Sequence, residues 1–443
     1  MQRTIFGHRV LINGRFERAR LGWNNGRIHL VEVVSAPCKG DELLGNLLVL
    51  PGIVDTHVHV NEPGRTEWEG WQTATAAAAL GGVTVLADMP LNSDPVTTSQ
   101  GALQAKLESM RGQLRVDCAL WGGVVPGNVA ELAPMVRDGV AGFKCFLCHS
   151  GIDEFPNVER ADLLRAMPVL RDSGVPLLVH AELESELAEA AQAPADDYAS
   201  WLHARPPEFE DDAVAMMVEL CRETRCPVHI VHLSSAGAID ILRAAKAEGL
   251  PITAETCPHY LCLKAEDVPR GDTSWKCAPP IRPNANRELL WKALDEGVLD
   301  FVVTDHSPCI PGLKRLDTGS FLDAWGGIAS LQLGLASVST EARRRGFGWD
   351  RISEWMSRGP AKLLGHGGGQ LAVGQRADVI AVDPEADFLV DGGTLAHRHP
   401  LTPYQGMALK SRVRHTWLRG HHIVDDGRLV DGYVGRPILG ESR

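Results

Sequence analysis

No segment of this chain is apolar for long enough to cross a bilayer. The most apolar window, Ala74 to Ala87, is alanine-rich and broken by Gly81-Gly82. It falls short of the roughly 20 residues a spanning helix needs, and reads as helix, turn and strand. The chain also lacks a basic surplus: 44 Lys and Arg stand against 56 Asp and Glu, a formal charge of −12. No basic face stands out, so neither nucleic acid nor a membrane surface is expected as a partner. A disulfide framework is missing as well. Ten cysteines are scattered without disulfide-like spacing, and Met1–Val10 has early charges and no apolar core of the signal-peptide kind. Reduced thiols and a cytoplasmic location are the expectation. Cys145 and Cys148 form a C-x-x-C, but no second pair completes a zinc site, and the two lie in a strand-like run.

What is present is an ordinary globular composition, 44% hydrophobic and 23% charged over 443 residues. That is enough for a large domain with a smaller companion. Eight apolar, β-branched runs recur: 47–60, 82–90, 116–125, 142–148, 176–182, 227–234, 251–259 and 300–308. Amphipathic stretches such as 69–80, 161–172, 211–224, 236–248 and 287–296 separate them. Strand–helix alternation implies a parallel sheet, and eight units predict an α/β (β/α)8 TIM-type barrel over residues 51–369. The flanks differ. Val10-Leu-Ile before Asn13-Gly14, and Trp23 before Asn25-Gly26, are hairpin signals, and the segment after residue 370 repeats that style. Residues 1–50 and 370–443 are therefore expected to form one small β-sandwich domain from both termini.

The chemistry collects at strand ends. Pro51-Gly-Ile-Val-Asp-Thr-His57-Val-His59 closes the first run, and residues two apart on a strand share a face. The fourth run carries Lys144, the fifth ends in His180, the sixth in His232 and the eighth in Asp305. In a barrel all of these converge at one mouth. Four imidazoles exceed what one open catalytic zinc takes, but suit two divalent metal ions. Two dications need a bridging anion. A lysine ammonium cannot supply it, whereas Lys144 carboxylated by CO2 (N6-carboxylysine) can. Asp305 then ligates a metal, takes a proton from the attacking oxygen and hands it to a leaving nitrogen.

These residues resemble the amidohydrolase superfamily, in its cyclic-amidase branch with dihydroorotase, hydantoinase and allantoinase. The resemblance spans nearly the whole chain. Its specific segments, most like the allantoinases, are Asn61-Glu-Pro-Gly-Arg-Thr, Asp88-Met-Pro-Leu-Asn-Ser, Gly142-Phe-Lys-Cys-Phe-Leu, Thr256-Cys-Pro-His-Tyr-Leu, Lys276-Cys-Ala-Pro-Pro-Ile-Arg and Thr304-Asp-His-Ser-Pro-Cys. One departure is Cys148-His149, where small polar residues are expected. The resemblance implies two metals, usually Zn2+, with Co2+, Mn2+ or Ni2+ as alternatives. It implies His57, His59, carboxylated Lys144, His180, His232 and Asp305 as ligands, with Lys144 and Asp305 catalytic. It also implies a homo-oligomer, a tetramer in most relatives, and allantoin hydrolysed to allantoate. Hydantoinase or dihydropyrimidinase activity is the alternative, with dihydroorotase or a non-catalytic relative behind it. Dihydroorotases place an arginine where this chain has Asn61, and a neutral amide suits allantoin, which has no carboxylate. Arg65 lies nearby as another charge. Asn92, Cys277 and Ser307 are the remaining candidate substrate contacts. His229, three residues from His232, is expected to face the opposite side; His259 and His306 to be supporting; and His397, His399, His421 and His422 to lie outside the barrel as surface or packing residues.

Overall fold

The structure, a computed structural model, describes residues 3–183 and 193–440. The chain begins with a meander of β1 (Arg3–Ile12), β2 (Arg15–Asn24) and β3 (Arg27–Val33), then β4 (Glu42–Leu43) and β5 (Leu48–Pro51). Both Asn-Gly pairs form tight hairpin turns with φ of 49° and 77° at Asn13-Gly14 and 47° and 78° at Asn25-Gly26. Positive φ at both central residues matches the twist of the flanking strands.

The barrel strands follow: β6 (Ile53–Val58), β7 (Val83–Asp88), β8 (Asp117–Leu120) with its continuation β9 (Gly122–Gly123), β10 (Phe143–Phe146), β11 (Leu177–His180), β12 (Val228–Ile230), β13 (Ile252–Thr256) and β14 (Phe301–Val302). They pair in parallel, and a bridge from Val58 to His306 joins first strand to last. The first run, 47–60, is two strands rather than one. Pro51-Gly52 breaks it, and a Cβ on Gly52 would lie 2.2 Å from the Thr84 hydroxyl, so only glycine lets the chain pass from one sheet to the other. Val85, Ala87, Ala119, Leu178 and Val231 pack together inside the barrel, while Leu86, Cys118, Leu177, Val228 and Ile230 belong to the outer core under the helices.

The chain ends in β15 (Val379–Leu389), β16 (Ala408–Leu418), β17 (His421–Asp425), β18 (Arg428–Leu429) and β19 (Pro437–Ile438). Strands from both termini make one sheet, ordered β18-β17-β16-β15-β5-β1-β2-β3 with β4 beside β1. The fold is thus a (β/α)8 barrel with a β-sandwich domain built from both termini. No helix among the described residues is long and apolar enough to cross a membrane.

Buried Asp117, at the start of β8, ties the two parts together. It accepts from Arg376 at 2.6 Å, from the Arg436 amide at 2.9 Å, and from Arg419. Asp117→Ala removes the carboxylate shared by two mostly buried guanidinium groups, leaving Arg376 with Asp378 and Arg419 with the Val434 carbonyl, and the expected cost is about 3 kcal/mol of stability. Urea unfolding of the variant checks it; a loss below about 1 kcal/mol would mean that Asp378 and the Val434 carbonyl suffice for the two arginines.

Candidate metal centre

His57 and Lys144 lie within β6 and β10, His180 ends β11, and His59, His232 and Asp305 follow β6, β12 and β14; at two of them the backbone is unusual. His232 has φ 39° and Asp305 φ 44°. A left-handed conformation at a non-glycine residue costs roughly 1–3 kcal/mol and persists only when its surroundings hold it. At His232 it has a clear effect. Val228 and Ile230 face outward, His229 and Val231 inward, and the kink turns the next side chain into the mouth.

The groups then meet. His57 Nε2 lies 3.1 Å from Lys144 Nζ and 3.2 Å from Asp305 Oδ1, and His59 Nε2 is 3.6 Å from the same oxygen. The His232 ring is 5.3 Å from that of His57 and 4.6 Å from that of His180. His180 stacks on Phe146 at 4.4 Å. All six residues are buried.

Surrounding groups set the ring orientations. Glu255 Oε1 accepts from His57 Nδ1 at 2.6 Å, and its other oxygen from His229 Nε2 at 3.0 Å. That leaves the His57 Nε2 lone pair aimed at Lys144 and Asp305, the carboxylate–histidine arrangement that tunes a metal ligand. Glu182 Oε2 takes His180 Nε2 at 2.7 Å and Arg205 at 2.9 Å. The Asn92 carboxamide nitrogen is 3.3 Å from His59 Nδ1, and its oxygen has no partner. Turning the amide over lets His59 Nδ1–H donate to that oxygen and frees Nε2 as a lone-pair donor. Asp55 ties β6 to the strand end of β14, accepting from the Thr304 hydroxyl at 2.6 Å and the His57 amide at 3.2 Å.

Electrostatics sort the charges. Burial holds the His57, His180 and His232 imidazoles well below their ordinary pKa, with the Lys144 charge acting in the same direction on each, so they are neutral donors. Burial pushes Lys144 down to about 8. Burial raises the Asp305 carboxyl, but the His59 hydrogen bond and the charges of His232, His59 and Lys144 outweigh it and hold it at about 2. Asp55 is lifted to about 7 by burial, with the Thr304 hydrogen bond opposing. The centre fits divalent cations: neutral imidazoles, an ionised carboxylate and, among the described residues, a buried amine without a carboxylate partner within hydrogen-bond reach and an unpartnered His232 Nδ1.

Above the cluster is a cavity of about 360 Å³. Of the sequence candidates, His59, Asn92, Lys144, His180, His232, Asp305 and Ser307 line it. His57 lies beneath. Asn61, Arg65 and Cys277 are not on its wall. Asn61 (φ 67°) is buried and donates to the Pro308 carbonyl at 3.3 Å, bracing the turn after Asp305. Arg65 pairs with Glu154 at 3.0 Å and lies over Trp68. Cys277 is buried between Lys276 and Ala278, which do reach the wall.

The structure corrects one further expectation. His229 does not face away from the site; it points into the barrel and shares Glu255 with His57. The mouth position of His232 comes from its left-handed backbone, so spacing from His229 was no guide. His306 is supporting: its Nδ1 accepts from the Ser330 and Leu331 amides at 3.1 and 3.3 Å, and Nε2 meets Glu69 at 3.2 Å. His259 is buried with a donor atom within 4.8 Å of both the Cys257 sulfur and the Asp305 carboxylate. His397 is buried beside the His306 ring, the packing alternative of the two expected for it. Cys148 lies beyond the end of β10, where Arg205 approaches its sulfur at 3.6 Å, and His149 lines the cavity mouth. Glu255, Glu182, Lys276 and Trp325 were not singled out. Glu182 and Glu255 left a trace in the sequence as acids at or near the end of an apolar run, and Lys276 opens one of the family-like segments.

An amidohydrolase family model matches residues 48–424. The chain is 47% identical over 391 residues to the allantoinase of Streptomyces avermitilis, covering 88% of this chain and 87% of that one. It is 44% identical over 424 residues to the allantoinase of Saccharomyces cerevisiae, covering 94% and 89% respectively. Among solved structures it is similar to the L-hydantoinase (dihydropyrimidinase) of Arthrobacter aurescens, with a TM-score of 0.93 and 26% identity over 99% of this chain and all of that one (100%).

Proposed function

Since this chain belongs to the amidohydrolase family, we propose that the cavity is where it acts as an allantoinase, hydrolysing the cyclic amide bond of allantoin to give allantoate. The chain is a hydrolase of cyclic amide C–N bonds with a divalent-metal site. The observation that carries the reading is the meeting of His57, His59, Lys144, His180, His232 and Asp305 beneath one cavity. Close identity to allantoinases over most of the chain narrows the substrate.

In this reading those six side chains hold two metal ions, Zn2+ as the first choice, and Lys144 carries the N6-carboxyl group. When bound, the metals polarise the amide carbonyl and make the attacking water acidic. The chain does the rest. Lys144, pushed down to about 8 by burial, has the neutral amine fraction that adds CO2. Asp305, ionised at neutral pH, takes the proton from the attacking oxygen and delivers it to the ring nitrogen as the amide bond breaks. Glu255 and Asn92 keep the His57 and His59 rings turned to the centre. Asn92 and Ser307, on the wall, offer hydrogen bonds to a hydantoin ring; Asn61, Arg65 and Cys277 support that wall from behind. Besides Lys144, the lysine and arginine of the wall are already engaged: Arg205 with Glu182, and Lys276 with the carbonyls of Ala324 at 2.5 Å and Leu322 at 3.2 Å. That favours an uncharged substrate over a carboxylate.

Residues 1–50 and 370–443 form the β-sandwich domain in this reading, and 51–369 the barrel. Ten cysteines without a disulfide support a reducing, cytoplasmic setting. A homotetramer is the assembly expected of such relatives.

The test is turnover of metal-loaded protein on allantoin, hydantoin and dihydroorotate in parallel. Allantoin is expected to have the highest kcat/KM, by at least about tenfold, a difference of about 1.4 kcal/mol in transition-state binding. Negligible allantoin turnover with good hydantoin turnover would transfer the site to the hydantoinases.

A further inference from the structure

A second group of donor atoms lies outside the barrel, on the β16–β17 hairpin. His415 Nδ1 is 3.3 Å from His422 Nε2 and 3.1 Å from Asp425 Oδ1, and His422 Nε2 is 3.8 Å from that oxygen. Zinc bonds to nitrogen and oxygen of about 2.0–2.1 Å in a tetrahedron put neighbouring ligand atoms about 3.3–3.4 Å apart. The three separations straddle that value.

The placement comes from the register. Thr416 pairs with Val424 and Trp417 with His422, so a bulge at Ile423 lies between them. One step beyond Thr416–Val424, His415 stands opposite Asp425. Because the bulge uses one extra residue, His422 falls on the same face as both. Buried Trp417 holds both rings. His422 stacks on it at 4.8 Å and 13°, and His415 lies at 5.5 Å and 24°. The imidazole side chains are only 17% and 14% exposed, while Asp425 is 62% exposed and opens the group to solvent.

Hydrogen bonds account poorly for the trio. His415 Nδ1 lies within hydrogen-bond distance of both His422 Nε2 and Asp425 Oδ1, and its single proton, if present, can go fully to only one of them. The His422 Nε2–Asp425 separation of 3.8 Å is too long for a hydrogen bond. Three potential donor atoms this close together are what a cation satisfies. We propose that His415, His422 and Asp425 bind one divalent transition-metal ion of the zinc class, with solvent as the fourth ligand, cross-linking β16 to β17. Two imidazoles and a carboxylate select such ions over Mg2+ or Ca2+.

The probe is zinc alone. Protein dialysed against Zn2+ and then freed of loosely held metal is analysed for zinc by elemental analysis, alongside His422→Ala and Asp425→Asn. Wild type is expected to carry one equivalent more than either variant, with allantoin turnover unchanged in both. Asp425→Asn, at the exposed end, keeps the comparison valid should His422→Ala not fold. Cobalt gives the second readout. In a His57→Ala, His59→Ala background whose circular dichroism matches wild type, Co2+ should still develop the visible absorption of a tetrahedral site, and adding His422→Ala should abolish it. Equal zinc in wild type and variants, or a background protein without cobalt absorption, would make the trio an ordinary His–Asp ion pair and overturn the proposal.

Discussion

Asp305→Asn is expected to lower kcat on allantoin by about 10²–10⁴-fold, the usual worth of a positioned general acid–base group. The substitution keeps shape and size, so packing around the left-handed turn at residue 305 should survive. It removes the negative charge that His59, His232 and Lys144 stabilise in the native protein. An amide can neither accept the proton of the attacking oxygen nor return it to the leaving nitrogen. It can still offer one oxygen donor, so part of the metal should remain. Two measurements separate the effects: initial rates under saturating allantoin, and metal content by elemental analysis. A variant with most of its metal and wild-type kcat would remove Asp305 from the proton transfer.

Lys144→Ala is expected to abolish turnover and strip most of the metal together. Lys144 Nζ sits 3.1 Å from His57 Nε2 in a fully buried position. Without an anion there, two dications held by the surrounding imidazoles would repel each other with little screening. Acetate or propionate, small enough for the space the side chain leaves, should restore part of both metal binding and activity. Full activity in Lys144→Ala without added acid would end the carboxylysine reading. The pH dependence has a definite sign. Only the neutral amine adds CO2. A pKa of about 8 leaves about a tenth of the amine neutral at pH 7, against about one part in three thousand at the ordinary lysine value. Reactivation of metal-stripped protein at constant dissolved CO2 should therefore speed up from pH 6.5 to 8.5 and level off above. A pH-independent reactivation rate would mean that amine ionisation does not limit the step.

Much of the architecture is legible along the chain because its causes are local. β-branched runs, amphipathic spacers and the two Asn-Gly turns depend on residues within a few positions of one another. The error in the first run, 47–60, has a local cause too, Pro51-Gly52, but its consequence is tertiary: Thr84 occupies the space a side chain would need. The candidate centre divides in the same way. Histidines at strand ends can be counted from the sequence, and the barrel geometry brings strand ends together. The direction of Asn61 could not be read, since it depends on a left-handed backbone and on the Pro308 carbonyl 247 positions away. The pairing of His57 with Glu255, 198 positions apart, was equally hidden.

What the sequence determined by itself was the inventory: eight strand–helix units, β-rich flanks, and four imidazoles, an amine and a carboxylate at strand ends. Periodicity and residue chemistry carry that information directly. Only the tertiary structure decided which lone pairs face inward. His232 and Asp305 reach the mouth through left-handed backbone that their surroundings enforce, and Glu255 turns the His57 ring from a strand 198 positions away, while Glu182 holds the His180 ring from two residues on. The same holds for His415, His422 and Asp425, unremarkable in order and convergent only because a bulge shifts the register of one hairpin. A side chain's type is a property of the sequence, whereas its direction depends on backbone torsions and partners that only the folded chain supplies.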